Sequence, residues 1–189
     1  MMMLILGLLA FLGLHSIRML APGWRAARIA SWGEGGYRLI FSVLSILAFV
    51  LLVWGYGQVK AHPILLWLPP MGLRHATALL TLPAFVLLAA AYVPANHLKA
   101  RLRHPMLLAV KLWAFAHLLA NGWLHAVLLF GAFLVWAALD FRSARRRPAM
   151  PARVPRASMT LLAVVLGLVA WVVFALYLHV RLIGVAPFG

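Results

Sequence analysis

The sequence predicts an all-α fold, a polytopic transmembrane bundle of about six helices, and three observations carry that prediction. Of the 189 residues 66% are hydrophobic and 10% charged, with a mean hydropathy of +1.02, a composition of the membrane class rather than of a soluble domain. Six apolar segments approach the ~20 residues that a bilayer core of about 30 Å requires of a helix. The Lys and Arg residues fall mainly into alternate connections between those segments.

The first segment, Met1 to Leu20, opens MMMLILGLLAFLG. It has no basic residues ahead of the apolar run and no A-x-A pattern after it, so it reads as a retained helix and not a cleaved signal. The second, Tyr37 to Tyr56, follows an arginine-bearing connection whose GEGG, residues 33 to 36, reads as a turn. The third is His75 to Val93. The fourth, Pro105 to Ala120, starts with proline at its first helical position, which casts His104 as a capping or interfacial residue. Only Asn121, Gly122 and Trp123 separate it from the fifth, Leu124 to Asp140, so these two form a tight antiparallel hairpin. The stretch RSARRRPAMPARVPR then makes a seam, because its Arg, Pro and Ala content cannot build a packed core. It separates a membrane domain, residues 1–147, from residues 148–189, a basic loop and one additional helix, Ser158 to Val180.

Thirteen Lys and Arg residues lie in the first-to-second, third-to-fourth and fifth-to-sixth connections, against Lys60, Arg74 and Arg181 on the other side. The positive-inside rule makes the richer side cytoplasmic and puts both termini outside, in the periplasm of a Gram-negative cell. The net charge of +15 thus reads as topology and as attraction of the basic loops to anionic lipid headgroups, not as a nucleic-acid surface. The absence of cysteine excludes disulfides, thiolate metal ligands and thioether-attached haem.

Eight histidines raise the question of metal chemistry. The closest pairs are seven and eight residues apart, so the HxxxH and HxxHH boxes of a di-iron oxygenase are missing, and so is the HExxH of a zinc protease. Glu34 and Asp140 are the sole carboxylates, placed in or beside basic loops, which leaves no pair for hydrolytic acid–base work. What remains is ligation by single histidines on different helices, the way membrane bundles hold haem b. His15 and His117 are the two inside spans, at depths that differ by roughly 9 Å at 1.5 Å per residue. Trp113, His117 and Asn121 share one face of the fourth helix. Lys111 lies on another stripe, in line with His104, and would suit haem propionates. The plainer alternatives are a histidine donating to a helix carbonyl and a Lys111 that snorkels or pairs with Asp140. His62, His125 and His179, near the outer loops, are expected to be solvated.

The stretches LGLHSIRMLAPGWR, YRLIFSVLSILAFVLLVWGYG, YVPANHLKARLRHPMLLAVKLWAFAHLLANG and LDFRSARRR resemble, in that order, the bacterial NnrU family of integral membrane proteins. The resemblance covers residues 1 to about 147. It implies an inner-membrane protein associated with nitrite and nitric oxide reduction. The family is also distantly similar to zeta-carotene isomerase, a haem b membrane enzyme whose ligand histidines match His15, in HS, and His117, in RHPMLLAVKLWAFAH. That enzyme has a cysteine three residues before the second histidine where this chain has Ala114, which puts ligand-switching redox chemistry in question. The resemblance implies haem b held by His15 and His117, in an isomerase or redox protein; Lys111 or the cytoplasmic arginines would then lie near the propionates. The alternative it leaves is a non-enzymatic membrane factor supporting nitric oxide or nitrite reductases. A transporter is the weakest class, for want of repeats, broken helices and acidic coupling residues. No catalytic residue is assigned.

Overall fold

A computed structural model of the chain describes residues 1–148 and 153–188. The middle of the basic loop, 149–152, lies outside them. Helices α1 (Met2–Leu20), α2 (Pro22–Lys60), α3 (Gly72–Tyr92), α4 (His97–Leu102), α5 (Pro105–Ala120), α6 (Leu124–Arg145) and α7 (Ala157–Val173) follow in order, and α7 continues through a π-helical turn, Phe174–Leu178, into α8 (His179–Ile183). Five of these rods are long and apolar enough to cross a membrane, α7 to α8 counting as one of 27 residues. The sixth expected span, α5, has 16 residues, about 24 Å.

The largest departure from the sequence expectation is at the start of α2. The stretch expected to be a connection is helical, and the helix breaks only at Gly33, whose φ of 73° and ψ of 163° lie outside helical space. Glycine is the residue that tolerates that conformation. Residues 22–32 therefore form a separate amphipathic piece, PGWRAARIASW, which a search for long apolar runs cannot detect. Residues 34–60 are the span proper.

Neighbouring helices pack in the order α2, α1, α6, α5, α3, α7. Small residues set the closest seams, as expected where lipid outside is as apolar as the interior and helices associate by backbone approach. Gly7 of α1 lies against the backbone of Leu52 on α2, and Gly55 of α2 against that of Leu4 on α1. Leu4 is fully buried and Leu52 nearly so. Gly167 of α7 meets Val86 of α3 in the same way, and the Trp171 indole donates to Thr81 Oγ1 across that seam at 3.1 Å. The last helix is thus packed on α3.

One end of the bundle is rich in arginine. There Asn96, nearly fully buried, caps α4 by accepting from the Lys99 amide and donates from Nδ2 to the carbonyls of Ala90 and Val93. At the other end the α5–α6 turn is the tight hairpin its three-residue link implies. The Gly122 carbonyl accepts from the amides of Leu66 and Trp67, and Ile64 accepts from Leu124, so the apolar α2–α3 connection is tied down over the turn. Lys60 donates to the Ile183 carbonyl at 2.5 Å, joining the ends of α2 and α8.

Candidate functional site

His15 sits about one turn from the arginine-rich end of α1. Its Nδ1 is 2.7 Å from the Phe11 carbonyl. A carbonyl can only accept, so Nδ1 carries the hydrogen and Nε2 of the neutral ring keeps its lone pair. Phe11 lies at 4.3 Å between ring centres, Phe41 at 5.3 Å and Trp136 at 6.1 Å, from α1, α2 and α6 respectively. This is the orientation in which a backbone carbonyl fixes a ligating imidazole.

The ring lines a cleft of about 390 Å³ walled by α1, both pieces of α2, and α6. An adjoining lobe of about 600 Å³ opens between the ends of α1 and α6. Arg18, Arg25 and Arg147 are common to both. Apolar and aromatic groups, among them Leu14, Ile29 and Phe41, surround His15, and six arginines occupy the cleft and lobe together. The chain's two carboxylates, Glu34 and Asp140, line the same cleft. Each is held by an arginine: Arg38 on Glu34 at 2.5 Å, exposed, and Arg147 on Asp140 at 2.9 Å, half-buried. Arg147 also donates to Ser143 Oγ. Two pairs neutralise two arginines and leave four uncompensated, so the site favours an anion. Arg25 lies over the Tyr37 ring at 5.4 Å, which fastens the short amphipathic piece of α2 to its span.

His117 has the same local geometry, with Nδ1 donating to the Trp113 carbonyl at 2.8 Å, and Asn121 donating to the His117 carbonyl. The expected grouping of Trp113, His117 and Asn121 is therefore present. The His117 ring stacks on Phe130 of α6 at 4.6 Å. It does not share the cleft of His15. Helix α1 packs on α2 and α6, whereas α5 packs on α3 and α6. Trp136 beside His15 and Phe130 beside His117 are six residues apart on α6, about 9 Å along its axis. Phe133, between them, touches both Phe11 and Trp113.

Lys111 does not line the cleft either. Its amine lies over the Phe141 ring at 5.0 Å, and His104 meets the same ring edge-on at 6.2 Å, as their common stripe implies. Asp140 takes Arg147 instead of Lys111.

Two features escaped the sequence. His125, expected to be solvated, is 3% exposed. It packs edge-on against Tyr56 at 5.0 Å, with Nδ1 lacking a partner among the described residues. The convergence of Arg18, Arg25 and Arg38 with Arg142, Arg146 and Arg147 was also hidden, since these belong to two connections far apart in the chain. The one available signal was that each carboxylate stands in an arginine-bearing stretch.

The fold and cleft define a polytopic membrane protein with a cationic, histidine-bearing site at one end of its helices. The chain matches the family described as NnrU protein over residues 3–187 and belongs to that family. The match takes in the last helix. No curated protein and no solved structure matches the chain.

Proposed function

We propose that this NnrU-family protein binds haem b in the arginine-rich cleft through His15 alone. The observation that carries the reading is the His15 ring itself, oriented by the Phe11 carbonyl so that its Nε2 lone pair is free at the wall of a cleft rimmed by arginines. The residues fit the group in three respects: an imidazole ligand, flat aromatic walls, and the Arg25 guanidinium, without a carboxylate partner among the described residues, to neutralise a propionate. When bound, haem would supply an iron centre able to take a small ligand such as nitric oxide, which suits an association with nitrite and nitric oxide reduction. The chain's own contributions are to orient the imidazole, compensate anionic charge and exclude water with Phe11, Phe41 and Trp136.

Both carboxylates are engaged by arginines, which favours a binding or supporting factor for nitric oxide and nitrite reductases over an isomerase that uses acid–base chemistry. We place the arginine-rich end in the cytoplasm of a bacterial inner membrane, with both termini periplasmic. A cytoplasmic reporter fused after Arg146 would be active and one fused at Gly122 inactive; the reverse pattern would overturn that orientation. The ultraviolet-visible spectrum of detergent-purified protein tests the cofactor directly. A Soret band is expected in the native protein and none in His15→Ala.

A further inference from the structure

The lobe between the ends of α1 and α6 has a chemistry of its own. On α6, Val135, Leu139, Arg142 and Arg146 follow at helical spacing along one stripe. Its first two members are 61% and 51% exposed, and its last two line the lobe with Leu139 and Ser143. On α1 a matching stripe runs through Leu9, Gly13 and Leu20. Both leucines are well exposed, Gly13 has open space at its Cβ position, and Leu20 reaches the same lobe. Arg18, Arg142 and Arg146 have no carboxylate partner among the described residues. An unpaired cationic crown thus stands directly above two apolar stripes that face lipid.

That sequence of groups along the bilayer normal is the complement of an anionic phospholipid. A zwitterionic lipid would bring an ammonium group to three unpaired guanidiniums, and a free anion would leave the leucine stripes without a role. We propose that this lobe is a specific site for an anionic phospholipid, its phosphate held by Arg18, Arg142, Arg146 and the Ser143 hydroxyl, its acyl chains lying along Leu20 and Leu139. The inference does not rest on the haem reading: the lobe shares Arg18 with the His15 cleft, but Arg142 and Arg146 line the lobe alone and the readout is lipid retention.

The test uses the full chain in detergent, titrated with phosphatidylglycerol or phosphatidylcholine and read by native mass spectrometry. One phosphatidylglycerol should be retained at concentrations where phosphatidylcholine is not. Arg142→Gln with Arg146→Gln should weaken retention about tenfold or more. Arg101→Gln with Arg103→Gln, on the separate basic helix end, should leave it within about twofold, and an unchanged helical circular dichroism spectrum would show that both variants are folded. Equal losses in the two double variants would mean diffuse attraction to basic loops and would overturn the site. Retention of phosphatidylcholine to the same extent would overturn it as well. So would displacement of the lipid by inorganic phosphate at equal concentration, since the ligand would then be the free anion.

Discussion

Gly55 of α2 meets the backbone of Leu4 on α1 so closely that a Cβ placed on it would stand 2.5 Å from the Leu4 nitrogen. The pair is mirrored about one turn along by Gly7 and Leu52. Gly57, only two residues away, has nothing within 4 Å of its Cβ position. Gly55→Ala must therefore push α1 and α2 apart and should cost about 1–3 kcal/mol, whereas Gly57→Ala should be neutral or stabilising by up to about 1 kcal/mol, as expected in an open helix interior. Thermal unfolding of the two variants in one detergent checks this, and equal melting temperatures would show that the α1–α2 seam is looser than described.

The hydrogen bond from Trp171 to Thr81 tests whether the last helix is held by α3 or merely lies beside it. Interhelical side-chain bonds in membranes average about 0.6 kcal/mol. A cycle of Trp171→Phe, Thr81→Val and the double variant should give a coupling of that size. A coupling indistinguishable from zero would leave Gly167 against Val86 as the main determinant of that seam.

At the N-cap of α5, burial holds the His104 pKa below its usual 6.5, with Arg147 and Arg103 acting in the same direction and the Ala144 hydrogen bond and Asp140 opposing. The folded chain then binds this proton less readily than the unfolded one, so stability is full above about 6.5 and is lost as pH falls below it. His104→Gln should lose less melting temperature than the native protein between pH 7.5 and 5.5. An identical loss in both would assign the effect to other groups.

How far the sequence reached depended on whether a feature was local. Spans and the α5–α6 hairpin were legible because hydrocarbon length and a three-residue link leave few alternatives. The amphipathic piece at residues 22–32 was not, since its arginines look like a loop until Gly33 is seen to be the break. His15 and His117 were found as intramembrane imidazoles by exclusion, and their local bonds to the Phe11 and Trp113 carbonyls follow from helix geometry. Which of the two lines the arginine-rich cleft was beyond reach, because that is a packing property: α1 packs on α2 and α6, and α5 on α3 and α6. His125 was misjudged because its nearness to a turn suggested water, whereas Tyr56 packs over it.

The placement of the two histidines gives the most discriminating prediction. If one iron were shared, removal of either histidine would alter the same absorption band. The structure places His15 in the arginine-rich cleft and His117 outside that lining, stacked on Phe130. His15→Ala should therefore abolish the Soret band, while His117→Ala should leave its position and intensity within experimental error. Arg38→Gln, which leaves the Glu34 carboxylate uncompensated at the rim of the same cleft, should keep the band but weaken haem retention, on the order of tenfold, through repulsion of the anionic propionates. Folding is checked independently by circular dichroism, since His15 contributes an aromatic contact as well as a ligand. Loss of the band in both histidine variants, with helicity intact, would restore the shared iron. No band in the native protein after haem supplementation would remove the cofactor and leave the cleft as an anion site alone.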